Sequence, residues 1–171
     1  MAGIVHTYYE NGNVKEIYFE NDGKREGKCE TFYLDGKYYS TFNYVNGRRE
    51  GKFESYRQNG HVEETYNYVN DEIDGVRKYY YSTGELCEIF SYVCGKIEGE
   101  YRQYYSNGKL REICNYVNGK RRGESKEYYE NEQPRITCNY IDGKIEGEYK
   151  LYHENGQLDK ILYYVDDIPQ I

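Results

Sequence analysis

Short runs rich in Tyr, Ile, Val and Thr, about eight or nine residues each, recur along the whole chain and are cut at regular intervals by small polar pairs. One set of cuts is Asn11-Gly12, Asp35-Gly36, Asn59-Gly60, Asn107-Gly108 and Asn155-Gly156; the other is Asn46-Gly47, Asn118-Gly119 and Asp142-Gly143. Runs of this length and composition read as β-strands. Asn-Gly and Asp-Gly tolerate positive φ at both central residues of a type I′ turn, so both sets predict two-residue hairpin connections. Pro134 and Pro169, the two prolines, are expected at an irregular hairpin tip and at a terminal stop.

The pattern repeats. Gly3, Gly27, Gly51, Gly75, Gly99, Gly123 and Gly147 are spaced by 24 residues without insertion or deletion, and the heptapeptide GKIEGEY occurs at 95–101 and again at 143–149. Counting each of these glycines as position 1, position 6 is aromatic in all seven repeats (Tyr8, Phe32, Tyr56, Tyr80, Tyr104, Tyr128, Tyr152). Position 18 is Tyr in every repeat but the first, where Glu20 stands. The repeats are therefore 3–26, 27–50, 51–74, 75–98, 99–122, 123–146 and 147–170. Each is one hairpin, and the expected fold is all-β, an elongated antiparallel meander forming a single twisted or half-pipe sheet. Fourteen strands at the usual spacing make a ribbon roughly 65 Å long.

Two-residue turns at both ends fix a register. Position 7 then faces 12, position 3 faces 16, and position 16 faces the next repeat's glycine, giving ring or thiol a neighbour without a side chain. Positions 7, 12, 16 and 18 share the more apolar face, as in Tyr105, Leu110, Cys114 and Tyr116. Asp71 in place of a turn glycine, and Glu132 with Pro134, are expected to distort their hairpins, and Asp166, Asp167 and Pro169 to act as a charged stop.

Composition changes this picture little. Tyr supplies 25 residues against no Trp and one Met, which suits wide thin surfaces with wet hydroxyls. A net charge of −7 argues against nucleic-acid binding, and no apolar run is long enough to span a bilayer as a helix. Five Cys without CxxC spacing, and no secretory pattern at the start, predict a reducing, cytoplasmic location. Cys114 and Cys138 share position 16 in adjacent repeats, roughly 10 Å apart and too far for a disulfide.

Candidate chemistry is sparse. His6, His61 and His153 lie in distant repeats at different positions, so neither a metal cage nor a nucleophile–base pair is expected, and no cofactor. The strongest binding signal is basic and aromatic: position 4 is cationic from the fourth repeat on (Lys78, Arg102, Lys126, Lys150), and the register places Arg111 and Arg135 opposite Tyr104 and Tyr128. Tyr80, Tyr104, Tyr128, Tyr152, Arg102, Arg111, Lys126 and Arg135 form the candidate surface. Glu100, Glu124 and Glu148 at position 2 share it, so cross-strand salt bridging is the plain alternative to anion binding.

The recurring Tyr-Tyr-x-Asn-Gly-x-Leu followed by Tyr-Val-x-Gly-Lys, clearest at 104–110 and 116–120, resembles MORN repeats, in the variant common in bacteria and giant viruses and often labelled antitoxin-like. The resemblance spans the whole chain. It implies a hairpin array without catalytic activity, serving protein–protein contact or dimerisation and, in some members, attachment to phosphoinositide membranes. The preferred expectation is a non-enzymatic scaffold binding a protein partner or itself, in a host's cytoplasm if the source is viral. The alternatives are peripheral phospholipid binding and neutralisation of a partner toxin.

Overall fold

A computed structural model describes residues 2–170, which contain strands and turns and no helix. The chain divides into two compact units, residues 1–84 and 85–171. In the first unit β1 (Ala2–Tyr8), β2 (Val14–Asn21), β3 (Lys24–Phe32), β4 (Tyr38–Val45), β5 (Arg48–Tyr56), β6 (Val62–Val69) and β7 (Glu72–Tyr80) pair consecutively and antiparallel. In the second unit β8 (Leu86–Val93), β9 (Lys96–Tyr104), β10 (Leu110–Val117), β11 (Lys120–Arg121) and β12 (Gly123–Tyr128) again pair in succession and antiparallel. It ends with β13 (Pro134–Ile141), β14 (Lys144–Ile145), β15 (Gly147–Tyr152), β16 (Leu158–Val165) and β17 (Ile168–Gln170). The hairpin repeat is as the sequence predicts. The strands number seventeen rather than fourteen because bulges split β11 from β12 and β14 from β15, and because Ile168–Gln170 pairs with β16.

The two kinds of turn differ. At positions 20–21 both residues have positive φ, as in Asn46 (52°) with Gly47 (84°) and Asn118 (53°) with Gly119 (79°), the type I′ signature. Asp166 (52°) and Asp167 (67°) form the same turn, so they reverse the chain rather than stop it. At positions 9–10 only the second residue is left-handed, as in Gly12 (87°) and Gly108 (80°). The position 7 amide donates to the position 11 carbonyl (Tyr105 to Lys109, 2.8 Å) and the position 10 amide to the position 7 carbonyl (Gly108 to Tyr105, 2.9 Å). That is a three-residue loop of the type I turn plus bulge kind, longer than the expected two-residue turn. Glu132 takes the glycine's place at φ 68°, and its tip keeps both bonds at 2.9 Å, so Pro134 simply begins β13 in a regular hairpin.

Register shifts accordingly. Position 6, not 7, faces 12: Tyr104 opposes Leu110 and Tyr128 opposes Pro134. Position 13 is an extra, bulged residue, after which 5 faces 14, 4 faces 15 and 3 faces 16, as in Ser125 with Cys138. Between repeats, Phe19 opposes Glu26 but Tyr18 opposes Cys29, leaving Gly27 and Lys28 bulged out. The recurring glycine is therefore not a bare surface under position 16. A Cβ at Gly27, Gly51, Gly99 or Gly123 would meet nothing within 4 Å, while φ lies between 70° and 83°. The glycine is there for its backbone angle. Gly3, in the first strand, has no such φ.

The bulges sort the side chains onto two faces. Positions 3, 5, 14, 16, 18 and 23 share the packed face, which holds the buried residues Cys29, Ser40, Phe53, Ser55, Tyr66, Tyr68, Phe90, Cys114, Ser125 and Cys138. Phe53 and Tyr66 stack at 4.4 Å between centroids, and Tyr66 meets Tyr68 edge-on at 5.1 Å. Positions 2, 4, 6, 12, 15 and 17 lie on the other, open face. Position 12 is there because the bulge at 13 flips it away from 16 and 18. The contacts agree: Tyr38 (position 12) packs between Phe32 and Tyr56 (position 6) at 5.6 and 5.3 Å.

Candidate binding surface

Both rims of the hairpin array are laced from repeat to repeat. The position 7 hydroxyl donates to the position 6 carbonyl of the following repeat: Tyr9 to Phe32 (2.7 Å), Tyr33 to Tyr56 (2.8 Å), Tyr105 to Tyr128 (2.6 Å) and Tyr129 to Tyr152 (2.8 Å). Arg57 substitutes a guanidinium donor to Tyr80 at 2.8 Å. At the opposite rim the position 24 carboxylate accepts from the next I′ turn: Glu26 from Asn46 (2.7 Å), Glu50 from Asn70 (2.9 Å), Glu98 from Asn118 (2.7 Å) and Glu146 from Asp166 (3.0 Å). These side chains hold the array together and are not available to a ligand.

The packed face is equally occupied. Arg25 lies 4.0 Å over Tyr18 and forks onto Glu16 at 2.6 and 2.9 Å. Arg49 lies 4.2 Å over Tyr68, Arg77 bonds Glu64, and Arg121 pairs with Glu112 at 2.6 Å between Tyr116 and Tyr140. Burial opposes the charge of Arg25 and Arg121, but the bonds they donate outweigh it and hold both guanidiniums above their ordinary pKa. Burial pushes the Glu112 carboxyl up, the Cys29 thiol up to about 12 and the Cys114 thiol up to about 11. All five cysteines are free, and only Cys94, in a turn, is exposed. These arginines were missed from the sequence. For Arg25, Arg49 and Arg121 the signal was a basic position 23 on the strand beside a position 18 tyrosine, legible only once the I′ register is known; Arg77, at position 3, lies outside that column.

The open face is where most of the predicted residues lie. Tyr80, Tyr104, Tyr128 and Tyr152 each end a strand there, with Arg102 and Lys126 two residues earlier. Arg111 and Arg135 do not join them. Position 13 bulges toward the packed face, where Arg111 lies 5.7 Å over Tyr105 and Arg135 donates to Glu127 at 2.6 Å. The expected single basic–aromatic surface is thus divided between two faces. On the open face the cations are paired within their own strand, Arg102 with Glu100 (2.7 Å), Lys126 with Glu124 (2.9 Å) and Lys150 with Glu148 (2.6 Å), rather than across strands. A groove of about 660 Å³ lies on this face of the first unit, lined by Lys52, Glu54, His61, Val62, Lys78 and Tyr80. Among the described residues no group of three His, Cys, Asp or Glu is placed to hold a metal ion.

In each unit a ladder of hairpins, one face spent on packing and the other presented outward, defines a β-hairpin repeat protein. The family model for the MORN repeat variant matches at 3–21, 25–46, 49–70, 73–93, 97–118, 121–142 and 145–166, and the chain belongs to that family. No curated protein matches it. Among solved structures it is similar to a chain of a GtfA/B complex bound to UDP and GlcNAc, at 12% identity and a TM-score of 0.26, over 81% of this chain and 24% of that one.

Proposed function

We propose that this protein is a non-catalytic MORN-repeat scaffold that binds a protein partner, or itself, through its open face. Repeats of this family mediate protein or membrane interactions. The observation that carries the reading is the contrast between the faces. Arg25, Arg49, Arg77 and Arg121 of the packed face are engaged with carboxylates or tyrosine hydroxyls, whereas the open face leaves Ile4, Tyr8, Phe19, Leu158, Ile161 and Tyr163 exposed. Free, poorly acidic thiols suit a reducing compartment such as cytoplasm. The phosphoinositide alternative needs a concentrated cation patch. Its four proposed cations are split two and two between the faces, and Arg102, Lys126 and Arg135 each already have a carboxylate.

The test is a comparison of baits. Capture of a defined partner, or of the chain itself, should survive Arg111→Gln/Arg135→Gln and be lost with Tyr104→Ser/Tyr128→Ser. Capture indifferent to the tyrosine pair, or flotation with phosphoinositide vesicles abolished by Arg102→Gln/Lys126→Gln, would contradict the reading.

A further inference from the structure

The open face follows a charge rule that fails at one lysine. In repeats two, three, five, six and seven a cation and a carboxylate stand together at positions 2 and 4: Lys28 with Glu30, Lys52 with Glu54, Glu100 with Arg102, Glu124 with Lys126 and Glu148 with Lys150. In repeat four position 4 is Lys78 but position 2 is Val76, so this lysine lacks the neighbour that every other lysine or arginine of the two columns has. Among the described residues Lys78 makes no ion pair, and Val76 beside it is 47% exposed. Folding does not ask for the valine, because glutamate serves at the same position in repeats five to seven.

The exception lies at the groove of about 660 Å³ on the first unit's open face. Thr65 on β6 opposes Glu54 of β5 on one side and Lys78 of β7 on the other, so a short side chain lies between two long ones. Val62, Val76 and the Tyr80 ring add apolar surface to the dip this leaves. At the rim His61 leans over the next hairpin tip, where a Cβ on Gly84 would meet its Nδ1 at 3.4 Å. Glu54 is already engaged, accepting from Lys52 and from the Tyr56 hydroxyl. Two lysines thus line the groove against one carboxylate, and the lysine beside the exposed valine is the one left over.

We propose that this groove captures the C-terminal carboxylate of a partner chain ending in an apolar residue, with the carboxylate on the Lys78 ammonium and the last side chain against Val62, Val76 and the Tyr80 ring. The proposal rests on the scaffold reading and names the part of the partner that this site holds. Lys78 and Val76 are two residues apart on one strand, which sets cation and apolar surface about 7 Å apart on the same face. A chain end carries an anion and an apolar side chain on a single Cα, whereas an interior Asp or Glu spends its side chain on the charge. The volume falls in the range of about 300–1,000 Å³ that ligand sites occupy, room for several residues rather than one small acid. The Thr65 hydroxyl and the His61 imidazole can hydrogen-bond the preceding peptide groups. Glu54 on the facing wall disfavours a dianion, so the site fits the single charge of a carboxylate better than a phosphate.

The test uses the full chain and fluorescein-labelled hexapeptide pools, random except for a last residue fixed as Leu, Val, Ile or Phe, each made as free acid and as C-terminal amide. Fluorescence polarisation should show the free acids binding about tenfold tighter than the amides. Lys78→Gln should remove that difference, and Lys78→Arg should keep it. Val76→Glu should remove it as well, because it gives Lys78 the in-strand partner that Glu100 gives Arg102. Lys24→Gln, an equal loss of charge outside the groove, should leave it unchanged. No binding by any pool, equal binding of acid and amide, a preference that survives Lys78→Gln or Val76→Glu, or pools ending in Asp or Ser that bind as tightly as the apolar ones overturns the proposal. So does Lys78-dependent binding to phosphatidylserine vesicles while no peptide pool binds. Those failures leave the scaffold reading standing, since capture through Tyr104 and Tyr128 tests it separately. Thermal melts matching the wild type show that the variants fold, and if either Lys78→Gln or Val76→Glu melts early the other carries the same expectation.

Discussion

Glu132 occupies a backbone site that asks for glycine. Its φ of 68° lies in the left-handed region, which costs a residue with a Cβ about 1–2 kcal/mol. Its charge meets Lys109 at 3.4 Å with the glutamate side chain 69% exposed, and such surface pairs contribute little. Glu132→Gly should therefore stabilise the protein by about 1 kcal/mol in urea unfolding. Asp71 holds the equivalent strained geometry (φ 73°) at the other turn, but its carboxylate accepts from the Arg49 amide at 2.8 Å and from its Nε at 3.2 Å. Asp71→Gly should show no such gain. The same scale governs acid behaviour. Glu54 accepts from Lys52 and from the Tyr56 hydroxyl, which hold its carboxyl below the ordinary value, and the same bond pushes Tyr56 up to about 12. A depressed carboxylate adds stability above its unfolded pKa of about 4.3 and loses it as the pH falls through the folded value. Glu54→Gln should thus be less stable than wild type at pH 7, and the gap should close from about pH 5 downward. A gap that widens on acidification would contradict the assignment. The thiols are a further check: at pH 8 a maleimide should label Cys94 quickly and the four buried cysteines only on unfolding.

At the scale of the hairpin, the position 7 hydroxyl is a measurable link between repeats. Tyr105→Phe and Tyr129→Phe should each cost about 1 kcal/mol by leaving a carbonyl without its donor, with little change in the circular dichroism spectrum. How legible the element was depended on what the turn dipeptides could say. Strand lengths and hairpin ends were plain, because Asn-Gly and Asp-Gly mark them. The two turn types were not told apart, because both use the same pair. In one turn Asn takes positive φ (Asn118, 53°); in the other its side chain instead accepts the amide two residues on, as Asn107 does from Lys109 at 3.0 Å. That one-residue difference in loop length moved position 12 to the other face. The column of glycines was visible, but its reason was not: periodicity shows that a position is special and does not distinguish a left-handed bulge from a close approach.

For the whole molecule, the family and the all-β array were written in the 24-residue period and in the paired turn signals. The candidate surface was half legible. Tyr104, Tyr128, Tyr152, Arg102 and Lys126 share the open face of the second unit and Tyr80 lies on the open face of the first, while a bulge turns Arg111 and Arg135 to the packed side. The packed-face arginines needed the correct register before their column could be recognised. Everything argued about function follows from the sorting of side chains into a face used by the fold and a face left for contact. The most direct check is an aspartate scan of adjacent residues on β13, Thr137, Cys138, Asn139 and Tyr140, read as unfolding free energy. A charge at Cys138 or Tyr140 enters the packed face and should cost about 3 kcal/mol or more; at Thr137 or Asn139 it faces outward and should cost about 1 or less. Costs that alternate in this phase support the two-faced sheet, and a flat profile or the opposite phase would contradict it.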